Sequence, residues 1–132
     1  MIPTIWLIDD DVLTSFFLKV IIKQLRIEAE TKVILSGWEA LNHLSIIKNS
    51  NRYPDIIILD INMPMVNGFD FLKLFEQNHW NECKGCKVVV LSNSVEDLQK
   101  AKSLSFQSVV GFIQKPLNQE KFKSGILPFL KK

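Results

Sequence analysis

Hydrophobic residues along the chain alternate between short continuous runs and longer segments with helical spacing. The runs have the length of strands and are rich in β-branched residues, which is typical of strands buried on both faces of a parallel sheet. They cover residues 4–8, 31–35, 55–59, 87–91 and 109–114. The second run is more polar than the others and is expected at an edge of the sheet.

Five further segments place apolar residues three or four positions apart and predict helices. They cover residues 12–25, 37–48, 69–77, 95–104 and 118–130. In the first, the spacing predicts a core-facing side made of Leu13, Phe17, Val20 and Ile21. Ser36 precedes the second segment and is a candidate N-cap. The fourth segment follows Ser94 and carries Glu96 and Asp97 in its first turn, where the helix dipole favours acids. Gly125 and Pro128 weaken the last helix.

Five β–α units in succession predict an α/β fold in which a parallel sheet carries helices on both faces. The length of 132 residues predicts one domain over residues 1–132. With 47% hydrophobic and 23% charged residues the composition is globular, and a formal net charge of +2 does not favour direct binding to nucleic acid. Neither a signal peptide nor a membrane-spanning stretch is evident, so a cytoplasmic location is expected.

In a parallel sheet, residues that follow the strands converge at the carboxyl edge. The polar residues in these places are Asp9, Asp10, Asp11, Asp60, Ser92 and Lys115. Clustered carboxylates repel one another, so either their pKa values rise or a cation lies among them. Mg²⁺ is the cation that best suits oxygen ligands and phosphate. A carboxylate nucleophile beside a cation, a lysine and a hydroxyl suits phosphoryl transfer to an aspartate.

Four motifs in this order resemble the response regulator receiver family of two-component signalling, and the resemblance covers nearly the whole chain. They are LIDDD at residues 7–11, ILDINMPMVNG at 58–68, VLS at 90–92 and GFIQKPL at 111–117. The resemblance implies a doubly wound, flavodoxin-like (βα)5 sandwich with strand order 2-1-3-4-5. It also implies a protein that catalyses only its own phosphoryl transfer and dephosphorylation, and so is not an enzyme in the ordinary sense.

The resemblance assigns metal and acceptor roles to individual residues of this chain. Asp60 corresponds to the phosphoacceptor. Mg²⁺ is then expected to bind Asp10, Asp60 and the backbone carbonyl of Asn62, with Asp9 acting through water. These four residues make Mg²⁺ the expected cofactor.

The resemblance also assigns the remaining site residues. Lys115 and Ser92 correspond to residues that assist phosphoryl transfer, and Ser92 and Phe112 correspond to the pair that switches conformation. The Lys115–Pro116 bond is a candidate for the cis form, which is common at this position in the family. Asn93 departs from the small residues usual beside the phosphoryl pocket.

The implied partners are a sensor histidine kinase or a histidine phosphotransfer protein, together with an unknown downstream protein. Because the chain ends after the last predicted helix, we expect a stand-alone receiver whose partner surface lies around the fourth helix, fifth strand and fifth helix, near Phe112. Three alternatives stay open. They are an intermediate phosphocarrier, a degenerate receiver that binds constitutively, and a haloacid dehalogenase-like phosphatase with Asp9 and Asp11 as its D-x-D motif, which would leave Asp60 unexplained.

The other conspicuous residues are interpreted as structural. Cys83 and Cys86 are expected to be incidental loop thiols, Asp11 a solvated acid at a helix start, and Asn67-Gly68 a turn. The tryptophans are assigned to the core or an interface: Trp6, Trp38 and Trp80. The lysines at positions 121, 123, 131 and 132 are expected to form a solvated face.

Overall fold

A computed structural model describes residues 2–47, 53–78 and 85–130 of the chain. The strands are β1 Thr4–Ile8, β2 Glu30–Ile34, β3 Ile56–Asp60, β4 Lys87–Ser92 and β5 Val109–Gln114. The helices are α1 Val12–Gln24, α2 Gly37–Ile47, α3 Gly68–Gln77, α4 Val95–Leu104, α5 Gln119–Gly125 and α6 Leu127–Leu130. All strand pairs are parallel in the order β2-β1-β3-β4-β5. This order confirms the predicted fold and places the second strand at an edge.

The sheet separates two hydrophobic cores, because successive residues of a strand point to opposite faces. On β1, Ile5 and Leu7 pack with α1, α5 and α6, whereas Trp6 and Ile8 pack with α2, α3 and α4. The central strand β3 is buried along its whole length. That burial explains its unbroken hydrophobic sequence. Across the described ranges, no helix combines the length and the apolar character required to cross a bilayer.

Five of the described helices, α1 to α5, begin with a side chain that accepts a hydrogen bond from the backbone of the first turn. The Ser36 hydroxyl accepts a hydrogen bond from the backbone N–H of Glu39, which confirms the predicted cap, and Ser94 caps α4. Three more caps accept backbone hydrogen bonds in the same way: Asp11 on α1, Asn67 on α3 and Asn118 on α5. These caps bring the strand ends and helix starts to one edge of the sheet.

The buried side of α1 differs from the predicted one. Its buried residues are Thr14, Leu18 and Ile21, while Leu13 is 59% exposed. Ile21 lies in the core and Phe17 packs against it, as predicted, whereas Leu13 faces solvent, although its neighbour Thr14 in the same turn is buried. The expected core role of Leu13 was therefore wrong.

The C-terminal segment forms two short helices in place of one. Helix α5 ends at Gly125, where a Cβ atom would lie 2.9 Å from Cδ1 of Ile113. The fully buried Ile126 follows, and Pro128 lies within α6. Gly125 thus permits close contact between α5 and β5, and the break falls where Gly125 and Pro128 weakened the prediction.

The tryptophans and cysteines that stand out in the sequence lie in different environments. Trp6 lies in the core, whereas Trp38 is 58% exposed. Cys86 lies in the loop before β4, as expected, and its side chain is buried in the core on the α3 and α4 side of the sheet. Trp80 and Cys83 lie outside the described residues.

Candidate functional site

Three carboxylates meet at the carboxyl edge of the sheet, as the strand ends predict. Asp9 and Asp10 follow β1, and Asp60 is the last residue of β3. One carboxylate oxygen from each of the three lies within 4.8 Å of the others. The neighbouring strands β1 and β3 therefore create the cluster by their pairing in register.

The three acids differ in their exposure to solvent. Asp9 is completely buried and Asp60 is 3% exposed, whereas Asp10 is exposed. The cluster is thus closed on the side of the core and open to water beside Asp10.

Lys115 supplies the positive charge of the site. Its Nζ atom lies 2.9 Å from Oδ2 of Asp9, 3.5 Å from Oδ1 of Asp60 and 3.9 Å from Oδ2 of Asp11. The backbone N–H of Lys115 donates to the carbonyl oxygen of Ser92 at 2.9 Å, which holds the start of this loop against β4. The Lys115–Pro116 peptide bond is cis, as predicted.

Burial and charge shift the protonation of both Asp60 and Lys115. Burial, together with the negative charge of Asp9, raises the pKa of Asp60 from 3.8 to about 7, although Lys115 and the backbone N–H of Asn62 oppose the shift. Burial alone lowers the pKa of Lys115, but its contacts with Asp9, Asp60 and Asp11 outweigh this effect and raise the pKa above 10.5. One lysine therefore does not fully compensate for the acids around it.

An oxygen of Asp9 also indicates incomplete compensation. The Oδ1 atom accepts a hydrogen bond from the backbone N–H of Asp11 at 2.9 Å. The Oδ2 atom is buried and depends on the Lys115 ammonium 2.9 Å away, which it shares with Asp60 and Asp11. A buried acceptor in this state, beside an Asp60 that resists ionisation, fits a site built for a cation.

Ser92 and Asn62 border the acids on the side of β4. Ser92 is completely buried. Its Oγ atom accepts a hydrogen bond from the backbone N–H of Ser94 at 3.0 Å and lies 3.4 Å from Nδ2 of Asn62. Neither contact uses the hydroxyl proton of Ser92, which can therefore be donated to an anion.

Phe112 is not part of this cluster. It lies on β5, opposite Val90 in register, and packs half-buried against the core on the α4 side. The Nζ atom of Lys102, in the last turn of α4, lies 5.4 Å from the ring centroid of Phe112. The distance is within the range of a cation–π contact. This contact joins Phe112 to α4.

Gly68 has a role that the turn interpretation of Asn67-Gly68 missed. A Cβ atom at this position would lie 2.7 Å from Cα of Ile61 and 2.9 Å from the carbonyl oxygen of Asp60. The backbone N–H of Gly68 also donates to the carbonyl oxygen of Ile61 at 2.9 Å. The start of α3 thus rests directly on the backbone of Asp60, and only glycine is small enough. A glycine after an N-cap residue was the available signal.

Asp11 behaves largely as predicted. Its Oδ1 atom accepts a hydrogen bond from the backbone N–H of Leu13 at 3.0 Å, and the side chain is 42% exposed. The carboxylate caps α1, and the cluster of metal-ligating type joins Asp9 to Asp10 and Asp60 and does not include Asp11. This arrangement gives no support to the D-x-D phosphatase alternative.

Comparison with known proteins identifies the protein family to which this fold and site belong. A family model described as "Response regulator receiver domain" matches residues 5–126. The chain therefore belongs to the response regulator receiver family, which functions in two-component signalling. The family match confirms the resemblance on which the site residues were chosen.

Individual relatives agree with this assignment. A crystal structure of a two-component response regulator from Cytophaga hutchinsonii is 30% identical and has a TM-score of 0.84, covering 99% of this chain and 98% of that one. The chemotaxis response regulator CheY4 of Vibrio cholerae shares the fold, with 21% identity, a TM-score of 0.76 and coverage of 98% and 100%. The sensor histidine kinase CheAY of Helicobacter pylori is 25% identical over 87 residues, which are 66% of this chain but only 10% of that protein.

Proposed function

We propose that Asp60 accepts a phosphoryl group from a phosphohistidine and that the modified protein then changes its binding to a downstream partner. The observation that carries this proposal is the environment of the Asp60 carboxylate. It is buried, lies 3.5 Å from the Lys115 ammonium and shares a cluster with two further acids. A carboxylate held in this way beside a cation is suited to act as a nucleophile toward phosphorus.

Mg²⁺ is the proposed cofactor of the reaction. Asp10, Asp60 and the backbone carbonyl of Asn62 would bind it directly, and Asp9 through a water molecule. When bound, Mg²⁺ supplies positive charge that favours the ionised carboxylates and offsets the charge of the phosphoryl oxygens. The sharing of one lysine among the clustered acids and the raised pKa of Asp60 support a cation requirement.

The chemical step forms one bond and breaks another. A carboxylate oxygen of Asp60 attacks phosphorus, and the bond between phosphorus and the donor imidazole nitrogen breaks. The electron pair of that bond leaves with the nitrogen, and the product is an aspartyl phosphate. Lys115 lies 3.5 Å from Asp60 and Ser92 contacts Asn62, two residues after Asp60, so the ammonium and the hydroxyl would stabilise the negative charge on the transferred oxygens.

The proposed switch runs from Ser92 to Phe112. If the hydroxyl of Ser92 turned toward a phosphoryl oxygen, its bond with the backbone N–H of Ser94 would weaken at the start of α4. Phe112 contacts the other end of α4 through Lys102. Coupled movement there would alter the surface formed by α4, β5 and α5, where we propose that the partner binds.

The proposed phosphoryl donor determines the partners and the location of the reaction. A sensor histidine kinase or a histidine phosphotransfer protein would supply the phosphoryl group, in the cytoplasm. The protein would catalyse only its own modification and its reversal. A role as an intermediate phosphocarrier differs only in where the phosphoryl group goes next, and back-transfer to a histidine phosphotransfer protein would reveal it.

Intact mass after incubation with acetyl phosphate and Mg²⁺ tests the proposal. We expect one added phosphoryl group, which is lost in Asp60→Asn and in the presence of a chelator. Asp70→Asn is the matched control, because Asp70 is an exposed acid of α3 outside the cluster, and it should be modified like the wild type. No added mass with either acetyl phosphate or a phosphorylated histidine kinase would indicate a degenerate receiver instead.

A further inference from the structure

The side chain of Lys121 holds the loop that carries Lys115. Lys121 lies in the first turn of α5, and its Nζ atom donates to the carbonyl oxygen of Gln114 at 2.7 Å and to that of Pro116 at 3.1 Å. These two carbonyl groups lie immediately before and after Lys115 in the chain. Lys121 is only partly buried, in keeping with the expected solvated face, but its ammonium is bound to the preceding loop.

The position of Lys121 in its helix is unusual for a lysine. Asn118 caps α5 by accepting a hydrogen bond from the backbone N–H of Lys121 at 2.9 Å. At this third helical position a glutamate or glutamine usually completes the cap, and acidic residues are favoured over basic ones. Lys121 gives up that stabilisation but gains two charge-assisted hydrogen bonds to the preceding loop. A lysine that departs from the preference of its helix position, and gains hydrogen bonds elsewhere, indicates a functional constraint on this residue.

The bonds of Lys121 complete the support of the Lys115 backbone. On the side of the sheet, the N–H of Lys115 donates to the carbonyl oxygen of Ser92. On the side of α5, the ammonium of Lys121 holds the carbonyl groups of both neighbours of Lys115. The backbone from which the Lys115 side chain reaches Asp9 and Asp60 is thus held from two sides.

We propose that Lys121 is a positioning residue that fixes the backbone around Lys115 and so aims the Lys115 ammonium at the phosphoryl group on Asp60. The proposal rests on the phosphoacceptor function described above. Its physical basis is that charge stabilisation depends on fixed geometry, so that a displacement of about 1 Å can cost a large factor in rate. Among the described residues, the Lys121 side chain bonds only to the loop carbonyl groups and makes no contact with Asp60 or the other clustered acids.

The test compares Lys121→Met with Lys121→Arg and with Lys123→Met. Methionine keeps a long stem but cannot donate hydrogen bonds, whereas arginine keeps both the charge and the donors. Lys123 lies on the same helix, and its side chain is exposed and makes no hydrogen bond or ion pair with the described residues. Two quantities are measured: the phosphorylation rate constant with acetyl phosphate and Mg²⁺, and the hydrogen exchange rate of the Lys115 amide.

We expect Lys121→Met to slow phosphorylation by about tenfold and to speed up exchange of the Lys115 amide. Lys121→Arg should restore most of the rate, and Lys123→Met should match the wild type. In a Lys115→Ala background, Lys121→Met should cause no further loss, because the two residues act through one ammonium. If Lys121 only stabilised the fold, Lys121→Met would slow phosphorylation by the same factor in the wild-type and Lys115→Ala backgrounds.

Three results would overturn the inference. Unchanged exchange at Lys115 in Lys121→Met would show that the lysine does not hold the loop. Faster exchange with an unchanged phosphorylation rate would show that the support has no catalytic consequence. A wild type that takes up no phosphoryl group would overturn the proposed function and the role of Lys121 with it, whereas the first two results leave the phosphoacceptor function intact.

Discussion

Replacing Asp60 by asparagine is expected to stabilise the metal-free protein. The pKa of Asp60 is about 7 in the folded protein, against 3.8 for an unperturbed aspartate. The folded state therefore holds the Asp60 proton more tightly than the unfolded state does. The stability linked to this proton is complete below pH 3.8 and is lost as the pH rises to about 7. Asparagine mimics the protonated carboxyl and does not ionise.

The size of the effect follows from the difference between the two pKa values. The full difference corresponds to a penalty of about 4 kcal/mol at neutral pH. Because the cluster is open to water beside Asp10, we expect the measured gain of Asp60→Asn to be about 2 kcal/mol. At pH 5 the Asp60 carboxyl of the folded wild type is already protonated, so the gain of Asp60→Asn falls to less than half, about 1 kcal/mol.

Urea denaturation in the presence of a chelator, at pH 7.5 and at pH 5, measures this gain. Asp70→Asn is again the control, and it should lose about 0.3–1 kcal/mol because its charge favours the first turn of α3. A gain for Asp60→Asn that does not change between the two pH values would refute the electrostatic explanation. A loss of stability at pH 7.5 would refute the repulsion itself.

Two further perturbations examine the same edge of the sheet. Mg²⁺ at ten times its Kd should raise the free energy of unfolding by about 1.4 kcal/mol in the wild type and by less in Asp10→Asn, and a melting temperature that does not respond to Mg²⁺ contradicts the metal site. Gly68→Ala should cost about 1–3 kcal/mol in urea denaturation and slow phosphorylation, because its Cβ would lie 2.7 Å from the backbone of Ile61. In Gly111→Ala the nearest atom is 3.6 Å away, so equal losses in the two glycine variants would contradict the steric argument.

The sheet and the identity of the clustered residues could be predicted from the sequence because both follow from local patterns. The hydrophobic run before Asp60 requires a strand buried on both faces, and parallel strands bring their carboxyl ends to one edge. Asp9, Asp10 and Asp60 consequently meet in the structure as predicted. The cap at Ser36 was equally accessible, since capping depends on residues three positions apart.

Features set by contacts between distant segments could not be predicted in this way. Lys115 lies closer to Asp9 than to Asp60, and this preference depends on the relative placement of β1, β3 and the loop after β5. The helical spacing in α1 suggested that Leu13 is buried, but it could not reveal that the helix turns Thr14, Leu18 and Ile21 toward the sheet. Lys121 resembled any other surface lysine until its side chain was traced back to the preceding loop.

The instability concentrated at Asp60 and the support given to its surroundings are two parts of one arrangement. A buried acid that resists ionisation destabilises the metal-free fold, and it remains in place because the backbone around it is held independently of the acids. Gly68 lets α3 rest on the carbonyl group of Asp60, and Ser92 and Lys121 hold the loop of Lys115. A cation or a phosphoryl group that enters the cluster therefore meets charges that are already oriented, and the energy it gains by neutralising them can be transmitted to α4 through Ser92 and Ser94.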